Sequence, residues 1–287
     1  MSFSAPGSPP PHPQPQPGQP PYGGAPYPAP PYAAGPVPGQ PYPGQAPYPG
    51  QVPYPAPGPY PGPPPLGDVL RPPQGLATAL TVLLSTAAVV FLFSAGTNLF
   101  ARSLMTDLIA DPDRVAEGAL DLSDLLTGLA SVLTILILLG TAAVFLTWFH
   151  RVRVNGEIFR PDAFTQTRGW AIGGWFIPFG NLFLPFRTAR QIWAASTQLG
   201  PDGSYRHVST APVTAWWVVW VLGQSGNRIG NRLYNRAETP EALQSATSVC
   251  FVSDLILVAA AVLAILFVRK LTALQNVKAA QGPYAAL

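Results

Sequence analysis

Three long apolar runs dominate the second part of the chain. Residues 76–100 and 125–149 contain no charged side chain, and residues 246–268 contain only Asp254. About 20 consecutive apolar residues are enough to cross a bilayer as an α-helix. Each run therefore predicts a membrane-spanning helix, and the pair Arg269-Lys270 predicts where the third helix ends.

Two further apolar segments are ambiguous. Residues 169–186 are interrupted by glycines and by Pro178 and Pro185. Because proline removes helix hydrogen bonds, this segment predicts a kinked or re-entrant element. The second segment, residues 213–223, is short for a crossing and spans the bilayer only if its helix continues through Arg236.

The charges between these segments predict the orientation. Six acidic residues and two arginines separate the first two runs, whereas residues 150–168 contain four arginines. Lys and Arg concentrate in cytoplasmic loops, so the first loop is expected outside and both termini inside. The number of crossings is then even, and a crossing by residues 213–236 leaves fewer arginines outside than one by residues 169–186. We predict an all-α integral membrane fold with about four transmembrane helices plus a Pro-broken re-entrant or interfacial helix.

The N-terminal part has a different composition. Residues 1–67 contain no charge, and much of the chain's 37 prolines and 27 glycines lies there. Residues 41–64 repeat a six-residue unit that begins Pro-Tyr-Pro four times. Such composition predicts a disordered, partly polyproline-II chain. We expect a disordered Pro-rich tail at 1–74, a helical membrane domain at 75–275 and a short C-terminal tail at 276–287.

The tail has two possible roles. It is either an inert tether or a ligand for proteins whose aromatic grooves grip polyproline-II segments. The usual groove ligand carries a flanking Arg or Lys, and the first such residue here is Arg71. That absence weakens the second interpretation.

Asp254 is the first candidate for a functional site. A charge inside a span costs a few kcal/mol unless it is paired or faces water. Two interpretations remain open, namely contact with an ion, proton or ligand, and a structural hydrogen bond to a neighbouring helix, which is favoured. The candidate partners are Asn181, Asn227, Arg228 and Arg232.

Other candidates follow from spacing. Arg228, Arg232 and Arg236 recur every four residues, which predicts either a solvated face or a grip on anionic lipid headgroups. Trp175 and Trp193 belong to a tryptophan-rich region. They predict an aromatic belt at the interface or, with Pro178 and Asn181, the lining of a pocket.

Several classes of function lack support in the sequence. The single cysteine, Cys250, and three scattered histidines provide no metal-ligand spacing and no nucleophile–base pair. A net charge of +3 without a Lys/Arg block does not indicate nucleic-acid binding. We therefore expect no enzymatic activity, no metal and no cofactor.

A likeness to a known family is carried by several motifs. They are Trp148-Phe149-His150-Arg151, Gly169-Trp170 through Trp175-Phe176 to Pro178, Trp216-Trp217, Ser253-Asp254 and Val268-Arg269-Lys270. Over residues 76–275 the chain resembles the actinobacterial membrane family known as domain of unknown function 4328. The resemblance implies membrane placement and a high-GC Gram-positive source, but no activity. It makes Trp175, Pro178, Asn181, Trp193 and Asp254 the positions to mutate first.

Two hypotheses of function result. The leading one is a multi-pass anchor or scaffold in the cell membrane, with a cytoplasmic tail that recruits partners. The alternative is a small transporter or channel component that uses Asp254 and the broken helix around Pro178 and Asn181. Expected partners are the lipid bilayer, proteins that bind the tail, and further copies of the chain in a homo-oligomer, but not nucleic acid.

Overall fold

The computed structural model describes residues 69–202 and 204–281, which belong to one compact unit comprising residues 63–287. The predicted tail, up to residue 68, lies outside the described residues. The described part is helical and contains no strand beyond one isolated bridge, between Leu199 and Tyr205. Its α-helices are α1 (Gln74–Ala110), α2 (Glu117–Phe159), α3 (Trp170–Gly173), α4 (Leu184–Ala195), α5 (Ala211–Tyr234) and α6 (Pro240–Ala280).

Three helices are long and apolar enough to cross a membrane, as the sequence predicted. They are α1, α2 and α6. Each helix is longer than its apolar run, because α1 contains 37 residues, α2 contains 43 and α6 contains 41. The helices therefore carry polar turns beyond the expected hydrocarbon region at their ends.

The prediction that Arg269-Lys270 ends the third helix was wrong. Helix α6 continues to Ala280 and includes residues assigned to the C-terminal tail. Its last turns bury Leu271, Gln275 and Lys278. Tertiary contacts on one face maintain the helix, and exposed charges on the opposite face do not interrupt it.

Helix α6 lies between α1 and α5, and α2 packs against the other side of α1. Helices α1 and α6 are antiparallel. The Gln74 side chain donates to Asn276 at one end (2.7 Å), and Gln244 donates to Thr106 towards the other (2.8 Å). We call the end where α1 begins and α6 finishes the basic end, and the opposite end the acidic end, after the charges described below.

Helix α5 has 24 residues and is antiparallel to α6, because successive glycines of α5 face residues of α6 in reverse order. Its glycines allow close approach. A Cβ atom at Gly223 would meet the Leu257 side chain at 2.8 Å, and one at Gly230 would meet Cys250 Sγ at 2.6 Å. Small residues of this kind are typical of helix pairs in membranes.

Segment 169–186, which contains Pro178 and Pro185, forms a broken element, as predicted. The four-residue α3 is followed by turns, a 3-10 helix at Gly180–Leu182 and then α4. Phe179 has a φ of 61°, a left-handed backbone conformation that is strained for a bulky residue. Helix α4 then packs against α2 and α5 at the basic end, with Arg187 and Arg190 on its exposed face.

Candidate functional site

Asp254 lies at the junction of three helices. It projects from α6 and is only 2% exposed. Ser94 Oγ and Asn98 Nδ2, both on α1, donate to Asp254 Oδ2 at 2.7 Å and 2.9 Å. From α5, Asn227 Nδ2 donates to Oδ1 at 3.4 Å. We call these four residues the Asp254 cluster.

The arrangement connects helices through one carboxylate. Asn227 also accepts a hydrogen bond from Asn231, one turn further along α5 (2.8 Å). Within the described residues, Asp254 has no Lys or Arg in salt-bridge distance. The carboxylate is therefore held by neutral donors, the chemistry of an interhelical clamp.

The sequence identified only part of this cluster. Among the four candidate partners, the structure places Asn227 in hydrogen-bond contact with Asp254. For Asn181, Arg228 and Arg232, the described residues show no hydrogen bond to it. Ser94 and Asn98 were missed, although two polar residues four apart in an apolar helix share one face and are a recognisable signal.

A second polar cluster closes the basic end. The backbone of Arg71 donates to Asn155 Oδ1 (3.0 Å) and accepts from Asn155 Nδ2 (2.8 Å). Asn155 also donates to Gln275 Oε1 (3.2 Å), and Gln275 donates to the Val152 carbonyl (2.9 Å) and to Ser196 Oγ (3.2 Å). These bonds attach the chain before α1 to α2, α4 and α6.

Arg153 fixes the loop that follows α2. Its side chain is almost fully buried, lies 3.6 Å from the centre of the Phe164 ring, and donates to Glu157 (2.8 Å) and to the Gln166 carbonyl (2.7 Å). Glu157 also accepts from Arg168 at 2.9 Å. A partly buried ion pair that is supported by further hydrogen bonds rigidifies its surroundings. The positions of Arg153 and Arg168 in the sequence predict an orientation, but they do not predict that Arg153 is buried.

Lys278 is an unexpected buried cation near the end of α6. It has no exposed surface, and its Nζ donates to the Thr197 carbonyl at 2.6 Å. The Tyr205 ring lies 5.0 Å from the ammonium group. In the described ranges no carboxylate pairs with it, so a carbonyl and an aromatic face replace a counter-ion.

A groove separates α2 from α5. The two helices make few direct contacts, and the space between them is a cavity of about 260 Å³. Trp175 closes one side of this lateral groove. Its ring is 5.4 Å from Phe145 of α2 and 5.8 Å from Trp220 of α5. Thr141 and Gln224 also line the groove.

The other candidate residues are distributed over the molecule. Trp193 of α4 is fully buried, is stacked on Phe267 at 6.2 Å, and does not line the groove. Pro178 is exposed, and neither it nor Asn181 is among the lining residues. The structure does not bring Asp254 together with the broken helix, because no described hydrogen bond or ring contact joins them.

The arginine series lies at the acidic end. Arg228 and Arg232 are exposed on α5, and Arg236 is exposed just beyond it.

No group of three or more His, Cys, Asp or Glu side chains within the described residues could hold a metal ion.

Comparison with known proteins gives a family. No curated protein and no solved structure matches the chain significantly. The model of the family described as "Domain of unknown function (DUF4328)" matches residues 111–273. The match starts after α1, so Ser94 and Asn98 lie outside it, while Asn227, Asp254 and the groove residues of α2 and α5 lie inside. The matched region covers more than half of the sequence, and the chain therefore belongs to the DUF4328 family.

Proposed function

We propose that this protein is a non-enzymatic, multi-pass anchor of the cell membrane. Helices α1, α2, α5 and α6 cross the bilayer, and both termini lie in the cytoplasm. The bundle holds the Pro-rich N-terminal segment at the inner face, where that segment recruits partner proteins.

The observation that carries the proposal is the segregation of charge between the two ends of the bundle. The basic end has three described acidic residues, Glu157, Asp162 and Asp202, and most of the Lys and Arg: Arg71, Arg151, Arg153, Arg160, Arg168, Arg187, Arg190, Arg206, Arg269, Lys270 and Lys278. The acidic end has five arginines and the acidic residues Asp107, Asp111, Asp113, Asp121, Asp124, Glu238 and Glu241. The positive-inside rule assigns the basic end to the cytoplasm.

Helix α5 supplies the fourth crossing in this proposal. Its 24 residues extend about 36 Å at 1.5 Å per residue, which exceeds a hydrocarbon thickness of about 30 Å. Its polar turns, with Asn227 and Asn231, lie towards the acidic end. Asn227 reaches Asp254, and so α6 supplies a partner for a polar group that lipid would not tolerate.

The attachment of the N-terminal segment supports its role as a presented tail. Arg71 is bound through both backbone polar groups to Asn155, and Arg151 donates to the Pro72 carbonyl at 3.2 Å. The tail therefore leaves from a fixed point at the basic end. Its repeated Pro-Tyr-Pro units are of the kind that aromatic grooves recognise.

Cysteine accessibility in intact cells tests the orientation. In a Cys250→Ala background, Asp113→Cys, Glu238→Cys and Asp202→Cys each introduce a thiol at an exposed position. A membrane-impermeant maleimide should label the first two in intact cells and Asp202→Cys only after lysis. Labelling of Glu238→Cys only after lysis would show that α5 does not cross. Labelling of Asp202→Cys in intact cells would reverse the orientation.

Recruitment needs a separate test. The full-length chain and a variant with Tyr42, Tyr48, Tyr54 and Tyr60 changed to Ala are compared in membranes by cross-linking. A partner that binds the first saturably and is lost from the second supports recruitment. Equal binding to both chains, or no saturable partner for either, would contradict it.

A further inference from the structure

We propose that the lateral groove binds a prenyl-type quinone, an uncharged membrane lipid that joins a flat carbonyl-bearing ring to an apolar chain. This proposal does not rest on the anchoring role or on the orientation of the protein in the membrane. The proposal stands on the access to the groove, on its unpaired polar groups and on its aromatic wall.

Access is from the side. Helices α2 and α5 make few direct contacts, and the groove lies between them at the level of the expected hydrocarbon region. Among the described residues, its lining contains no charged side chain. An occupant therefore enters from the bilayer and is itself uncharged, since an unpaired charge there would cost several kcal/mol.

Two polar side chains line the groove without a hydrogen-bond partner among the described residues. Thr141 Oγ is buried and makes no hydrogen bond in the part of the chain that the structure describes. On the same helix, Ser131 and Thr147 each donate to the carbonyl four residues earlier, at 2.8 Å. The Gln224 side chain is half-buried and also makes no hydrogen bond among the described residues. Unsatisfied polar groups are costly in hydrocarbon, so these two call for a ligand with hydrogen-bonding oxygens.

The positions of these groups favour a ring between them. Thr141 lies one helical turn from Phe145, and Gln224 lies one turn from Trp220. Phe145 and Trp220 both contact Trp175, from opposite sides of the groove. Thr141 and Gln224 therefore lie on opposite walls, about one turn beyond the same aromatic group. Trp175 also lines the groove, and its buried Nε1 has no partner among the described atoms.

The aromatic wall selects the shape of the ligand. Phe145, Trp175, Trp216 and Trp220 all line the groove, and aromatic side chains stack well on flat rings. The volume of about 260 Å³ exceeds the roughly 150 Å³ of an apolar cavity that binds benzene. A plain acyl chain would fill the space and leave all three polar groups unpaired. A quinone ring supplies carbonyl oxygens on both of its sides.

The test uses the full-length protein in nanodiscs and three probes. The first is a benzoquinone carrying a decyl chain, the second is decylbenzene, which has the same chain and no carbonyl, and the third is dioleoylglycerol, which has carbonyls and no ring. We expect saturable binding of the first probe, measured by equilibrium dialysis, with an affinity at least tenfold above either of the others. Equal binding of decylbenzene would indicate an unspecific apolar groove, and equal binding of dioleoylglycerol would indicate a glyceride site; both would overturn the proposal, as would no saturable binding.

Variants locate the site. The double variant Thr141→Val/Gln224→Leu should weaken binding of the decyl benzoquinone at least tenfold. Thr147→Val, whose hydroxyl bonds to its own helix, should bind like the unmodified protein. Thr141→Val alone replaces a hydroxyl with a methyl of similar shape and should weaken binding about threefold, so the test remains decisive if the double variant is unstable. Unchanged affinity in both groove variants would contradict the assignment.

Discussion

The Asp254 cluster and the lateral groove both place polar side chains within apolar helices, but only the first satisfies them. In the cluster, one carboxylate receives three hydrogen bonds from two neighbouring helices. In the groove, Thr141 Oγ and Trp175 Nε1 are buried without a partner among the described residues. Inside a membrane a polar group has no water to bond. The hydrogen bonds of the Asp254 cluster therefore stabilise the bundle, whereas the groove leaves donors that a ligand can use.

Replacing Asp254 tests whether the cluster is structural. Asp254→Leu removes three hydrogen bonds and leaves the donors of Ser94, Asn98 and Asn227 unpaired. Interhelical hydrogen bonds contribute about 0.6 kcal/mol on average, and an unsatisfied buried group costs roughly 1–3 kcal/mol. The free energy of unfolding, measured by denaturant titration in mixed micelles, should fall by about 2–4 kcal/mol.

Asp254→Asn is the matched control for that measurement. It keeps one carbonyl oxygen that can accept from Ser94 and Asn98. Its loss in free energy of unfolding should therefore be less than half of the loss in Asp254→Leu. An Asp254→Leu protein as stable as the unmodified one would contradict the structural role of the cluster and would favour a role for the carboxylate in binding or transport.

The second effect concerns the coupling of helices through the cluster. Asn98→Ala and Asn227→Ala each remove one donor, on α1 and α5 respectively. Each should lower the free energy of unfolding by about 0.6–1.7 kcal/mol. Because both donate to one carboxylate, the double variant should differ from the sum of the two single variants. Strict additivity in the double-mutant cycle would show that the two helices are not coupled through Asp254.

The two regions also differ in how far the sequence predicts them. Asp254 is an isolated charge in an apolar run, and its cost in lipid marks it without any structure. Its partners are harder to predict, because Ser94 and Asn98 are 160 and 156 residues away and only the packing of α1 on α6 selects them. The groove gives weaker signals still. In the sequence Thr141 and Gln224 are ordinary helix residues, and only the lack of packing between α2 and α5 leaves them without a partner among the described residues.

The same distinction applies to the fold. Apolar length predicts α1, α2 and α6, and the prolines predict the broken element before α4. The end of α6 was mispredicted because Gln275 and Lys278 are polar in sequence but fully packed in the structure. Local composition predicts whether a segment lies in lipid or in water, whereas tertiary contacts decide where a helix ends.

Thr141 gives the most sensitive contrast between the groove and the cluster. Thr141→Val replaces an unpaired hydroxyl in the groove by a methyl group. No hydrogen bond within the described residues is lost, so the free energy of unfolding without ligand should change by no more than about 0.5 kcal/mol, with a gain as the expected sign. The same substitution should weaken quinone binding, so stability and affinity move independently at this position, whereas Asp254→Leu lowers stability directly. A loss above about 1 kcal/mol at Thr141 in the ligand-free protein would show that its hydroxyl is already satisfied, and the contrast between the two regions would disappear.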